Sequence, residues 1–134
     1  MNFDEAITMH SNWKMKLSRY LSKPDGTLKP ADIAPGNRCD LGKWIAGEGA
    51  KFSALPQFKS LREQHTQFHK AAAEIVRRAD TGEKVAEDVA LGANSNFSHA
   101  STAVVQAIMG MKNGVSSENS RSIGEPRADT ALNR

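Results

Sequence analysis

The chain has 134 residues, 39% hydrophobic and 25% charged, with a formal net charge of +3. This is the composition of one globular domain with a single core, and it excludes wholesale disorder. The 18 lysines and arginines are dispersed, with only Arg77 and Arg78 adjacent, and aromatics are few, which excludes a basic stripe or base-stacking platform for nucleic acid.

Residues 3–22 are predicted as an amphipathic helix. Phe3, Ile7, His10, Trp13, Leu17, Tyr20 and Leu21 recur at three- and four-residue spacing, which turns His10 toward the core. Asn2 suits the N-cap, with Glu5 three residues on. Residues 23–37 (KPDGTLKPADIAPGN) carry three prolines and two glycines and read as a crossover loop. A short helix follows in DLGKWIAGEG, with Cys39 at its amino end and Gly47 and Gly49 closing it. Pro56 suits the first position of the next helix, in which Phe58, Leu61, His65, Phe68, His69, Ala72, Ile75, Val76 and Ala79 share a face. That helix breaks at Asp80-Thr81-Gly82. A last helix is expected from about Glu83 to Lys112, with Val89, Ala93, Phe97, Ala100, Val104, Ala107, Ile108 and Met111 facing inward.

No stretch alternates with period two, so the expected fold is all-α. It is a four-helix-type bundle with a proline-rich crossover loop and a short helix carrying the cysteine. Residues 1–113 are expected to form the bundle and 114–134 a polar, flexible or weakly docked tail. No apolar run exceeds three residues, so no membrane insertion is expected. The amino end, MNFDEAITMH, lacks the basic and apolar regions of a signal peptide. A single cysteine cannot form an internal disulfide, which suits a reducing cytoplasm and leaves the thiol free for metal or redox chemistry.

Four residues carry the chemistry. Cys39 is the only cysteine, and His10, His65 and His69 are three of the four histidines. They match in type and number a tetrahedral Zn²⁺ shell. His65 and His69, four apart, project from one side of a helix; His10 adds a ligand from the first helix and Cys39 one from the loop-to-helix junction. Each residue alone has a plainer explanation, as a hydrogen-bonded core histidine or a small apolar thiol. Their convergence on one bundle interior favours a metal site. HTQFH lacks the glutamate of the HExxH zinc-protease pattern, and four ligands leave no open position for water, so the chain is not expected to be an enzyme. Asp40 suits either a hydrogen bond to a ligand imidazole or a cap on the short helix. Gly42 suits a close helix approach, and Trp13 and Trp44 suit either a wall around the site or core packing. His99 falls on a helix edge, and its context, SNFSHAST, does not resemble that of phosphotransfer histidines.

The segments HxxWK from His10, CDLGKW from Cys39 and HTQFH from His65 resemble, in order and separation, the chemoreceptor zinc-binding domain family over roughly residues 3–112. The CxLGxW piece is the most specific. The resemblance implies a site of three histidines and one cysteine (His10, Cys39, His65, His69) on zinc, in a helical regulatory domain that usually forms a homodimer. Such domains serve bacterial chemoreceptors or diguanylate cyclases, so the output partner would be a signalling protein of that type in chemotaxis or cyclic-di-GMP signalling. It also implies Cys39 as a redox switch, the zinc-bound cysteine of the family being linked to hypochlorous acid. A structural zinc in a protein–protein assembly module is the competing reading of the same closed shell.

Overall fold

The computed structural model describes residues 1–83 and 86–123, and among them every regular element is helical. The first expected helix is two that abut: α1 spans Phe3–Ser11 and α2 spans Trp13–Ser22. Asn2 caps α1, its side chain accepting from the Glu5 N–H at 3.0 Å. At Asn12, ψ is −13° and its carbonyl accepts from both Met15 and Lys16, so the helix is distorted for one residue. Asparagine is a poor helix-interior residue, and the distortion falls where the inward face passes from Ala6 and His10 to Leu17 and Tyr20.

The crossover is a loop with one helical turn in it, α3, Pro30–Ile33. Pro30 opens that turn and Ile33 is buried against the bundle. Tyr20 anchors the early part of the loop: its hydroxyl donates to Asp80 Oδ1 at 2.5 Å and accepts from the Gly26 N–H at 3.0 Å. The short helix is α4, Asp40–Ala46, followed by a 3-10 turn over Glu48–Phe52. α5, Pro56–Asp80, begins on its proline and buries the expected face from Phe58 to Ala79.

The last expected helix is divided. α6 spans Glu87–Leu91 and α7 spans Asn96–Ile123, with an extended Gly92 between them (ψ 169°). Ser95 stops a continuous helix from forming: its hydroxyl donates to the Gly92 carbonyl and accepts from the Ser98 N–H, which caps α7. The change of direction overturns two core assignments. Val89 is 63% exposed and Ala93 lies at the surface, whereas Phe97, Val104, Ala107, Ile108 and Met111 are buried as expected. α7 passes residue 113 without a break, and Gly114 is buried beside Leu55 and Gln57. Residues 124–134 of the expected tail lie outside the described residues.

α5 and α7 pack along each other, α1 lies against α7, and α2 and α3 lie against α5. The core so enclosed includes Leu17, Leu61, Phe68, Val76, Phe97, Val104, Ile108 and Met111. Burial of this apolar surface holds the bundle together. No helix among the described residues is long and apolar enough to cross a membrane.

Candidate metal centre

Among the described residues, three buried polar side chains interrupt the core, and they are His10, His65 and His69, each 4% exposed or less. His10 comes from the last turn of α1. Its Nδ1 lies 2.8 Å from the Ala6 carbonyl oxygen, one turn back. A carbonyl only accepts, so Nδ1 carries the proton and Nε2 holds a lone pair. Among the described residues, that Nε2 is the buried side-chain nitrogen left without a hydrogen-bond partner. His69 follows the same logic: its Nδ1–H donates to the Ile33 carbonyl at 3.0 Å, which ties α3 to α5 and again frees Nε2. His65 and His69 sit one turn apart on α5, with ring centroids 4.4 Å apart.

Cys39 is the N-cap of α4. Its backbone is extended (φ −86°, ψ 156°) and its sulfur accepts from the Gly42 N–H at 3.4 Å. Sγ lies 3.1 Å from His65 Nε2 and 3.6 Å from His69 Nε2. All four candidate ligand atoms lie within 4.8 Å of one another. In a tetrahedral zinc shell, with Zn–S near 2.3 Å and Zn–N near 2.0–2.1 Å, sulfur–nitrogen edges are about 3.6 Å. The donor set fits: soft sulfur with imidazole nitrogens, and an orphaned buried nitrogen that otherwise raises the energy of the fold.

Burial sets the protonation of the group. It pushes His65 down to about 3, with the nearby His69 and His10 rings adding to the effect. His69 is held at about 4 by burial and by His10, and His10 is lowered by burial against the opposing pull of the Ala6 carbonyl. All three are neutral at pH 7 and offer lone pairs. Burial also pushes the Cys39 thiol up, which opposes the thiolate, so a cation at the centre is what would favour losing that proton.

Glycines fix the approach of the cysteine turn. Gly36 has φ +71°, and a Cβ there would lie 3.1 Å from His69 Cδ2 and 3.2 Å from His65 Cε1. A Cβ on Gly42 would lie 2.0 Å from the Gly36 carbonyl oxygen. The close approach expected at Gly42 is therefore to the loop backbone. Trp13 packs edge-on to His69, with centroids 6.3 Å apart. Trp44 sits one layer further out, against Phe3, Phe52 and Phe58.

Asp40 is exposed in the first turn of α4, and Cys39 rather than Asp40 is the cap. The hydrogen bonds that orient His10 and His69 come from backbone carbonyls, for which the sequence carries no signal. A Pro-Gly pair signals a turn at Pro35-Gly36, but not that the missing side chain of Gly36 makes room for the rings of His65 and His69. His99 is exposed on α7 and, among the described residues, belongs to no group of metal-ligating side chains.

The family model of the chemoreceptor zinc-binding domain matches residues 10–76, half of the chain. The chain belongs to that family. Neither the curated proteins nor the solved structures yield a match to it. In this chemoreceptor zinc-binding domain the match opens on His10 and runs through Cys39, His65 and His69 to the inward face of α5. The family is a zinc-binding one, and the four converging side chains are a group that suits a metal ion.

Proposed function

We propose that His10, Cys39, His65 and His69 bind one Zn²⁺, and that the domain is a regulatory module whose output follows zinc occupancy or the state of Cys39. One observation carries the reading: a buried, unpartnered His10 Nε2 within ligand distance of two further imidazoles and a thiol. Three neutral imidazoles, one thiolate and Zn²⁺ leave a net charge of about +1, a modest charge to bury. The bound ion would stabilise the thiolate and join α1, α4 and α5.

Cys39 is the natural switch point, because its sulfur also holds the start of α4 through the Gly42 N–H. With hypochlorous acid, the thiolate sulfur is oxidised to sulfenic acid while the chlorine leaves as chloride (RS⁻ + HOCl → RSOH + Cl⁻). The product lacks the thiolate charge, so the sulfur holds the metal less well and α4 is released. The domain is read as a cytoplasmic homodimer that acts on a chemoreceptor or diguanylate cyclase type of partner rather than as an enzyme.

Native mass spectrometry of the wild type and of Cys39→Ala and His69→Ala tests the assignment. One zinc per chain is expected in the wild type, with loss in both variants; full retention in either variant would falsify the ligand set. Zinc release at about one equivalent of hypochlorous acid supports the switch. A closed four-ligand shell also suits a purely structural zinc, and a domain that unfolds when chelated would favour that reading.

A further inference from the structure

The groove between α5 and α7 and the wider depression bounded by α5, α6 and the start of α7 touch none of the four candidate ligands. A third pocket, of about 220 Å³, lies between α1 and α4, and His10 and Cys39 are among its lining residues. We propose that this pocket is the path by which a divalent cation enters and leaves the centre, steered by Glu5 and Asp40 and narrowed by Met9. The inference rests on the zinc-binding reading and adds to it a route and the residues that set the exchange rate.

Three independent features support the path. Of the four candidate ligands, His10 and the half-buried Cys39 line the pocket, whereas the buried His65 and His69 do not. The charged side chains of the lining are Glu5 and Asp40, both exposed, set against the α-ammonium of Met1, although the whole chain carries a net +3. Two carboxylates against one ammonium leave the recess negative, and a negative recess concentrates cations. Finally, His10, with its buried and unpartnered Nε2, gives an arriving cation its first imidazole as it sheds water. At ~30 Å³ per water, the pocket has room for about seven waters, enough for a hydrated divalent ion. Met9, 50% exposed, is a flexible apolar side chain at this opening, with Met1, 45% exposed, beside it in the lining.

Stopped-flow mixing of the metal-free domain with Zn²⁺, and of the loaded domain with excess chelator, reads both directions. Neutralising the recess in a Glu5→Gln, Asp40→Asn double variant is expected to slow loading about tenfold at low ionic strength, with the difference collapsing near 0.5 M salt. Met9→Trp is expected to slow loading and release by the same factor. Met15→Trp, at a comparably exposed methionine on α2 outside the pocket, is expected to change neither rate. Wild-type rates in both pocket variants, in a domain that still takes up one zinc, overturn the path and leave the binding site standing. No zinc uptake by the wild type removes the site and the path together.

Discussion

Alanine in place of Gly42 tests whether backbone contact holds the cysteine in position. The new Cβ would stand 2.0 Å from the Gly36 carbonyl oxygen, 2.9 Å from the Gly36 carbonyl carbon and 3.1 Å from Asn37 Cα. An ordinary carbon–oxygen contact is about 3.3 Å, so about 1.3 Å of separation has to be found. All three opposing atoms are backbone, and no side chain can rotate out of the way. Relief therefore requires the first turn of α4 to lift from the loop. The Cys39 sulfur spans that joint, 3.4 Å from the Gly36 oxygen and 3.4 Å from the Gly42 nitrogen, so it moves with it. A zinc shell tolerates about 0.2 Å in ligand distance, well short of the displacement needed. The expected cost is about 3 kcal/mol, at the upper end for overpacking. For a chain of this length that is about 10 °C in Tm, at ~2.1 cal/mol/K per residue. Zinc affinity is expected to fall about 100-fold, the upper end for losing a supporting contact. Thermal melts with and without zinc, and competition with a chromophoric chelator, measure both. A Tm within about 2 °C of wild type together with an affinity within about threefold would refute the reasoning.

Further predictions concern protons, the crossover and the metal. Metal-free stability is expected to fall from pH 7 to pH 5. His65 and His69 take up protons at about 3 and 4 in the fold but near their ordinary 6.5 when unfolded, so below 6.5 protons favour the unfolded chain. His65 alone accounts for about 2 kcal/mol at pH 5, and equal urea midpoints at the two pH values would count against buried neutral imidazoles. Tyr20→Phe removes the hydrogen bonds to Asp80 and Gly26 and is expected to cost about 1–2 kcal/mol while leaving zinc affinity unchanged; a weakened affinity would mean that the crossover acts as one rigid piece. Chelation is expected to leave the helical circular dichroism largely intact, because the buried apolar side chains of Leu17, Phe97 and Ile108 supply a core of their own. Restoring zinc at about 100 times its Kd should then raise stability by about 2.7 kcal/mol. A coil-like spectrum on chelation favours the structural-zinc reading.

Much of the fold is legible because helical spacing in a chain this size leaves few alternatives. α5 runs from Pro56 to Asp80 as its apolar positions require, and the crossover falls where prolines and glycines cluster. The break at Gly92–Ser95 is not legible from periodicity, since Val89 and Ala93 keep phase with Phe97 while the chain turns between them. It shows instead in the run Gly92-Ala93-Asn94-Ser95-Asn96, whose glycine, asparagines and serine are turn and cap residues, a signal that the inward pattern on either side outweighs. Asn12 escapes for a similar reason: one distorted residue leaves the inward pattern undisturbed. In the candidate centre, the four side chains stand out because they are rare types on core-facing positions. The backbone carbonyls and the Gly36 turn around them do not, because their role depends on which distant segment is brought near.

The two carbonyls have a genetic consequence. Ala6 and Ile33 hold the imidazoles of His10 and His69 through atoms that every amino acid possesses. A saturation scan of point substitutions would register the histidines, the cysteine and the glycines. It would score positions 6 and 33 only for the size and hydrophobicity of their side chains. The orientation of two imidazoles is thus inherited through the path of the main chain, where drift in the side chains cannot erase it.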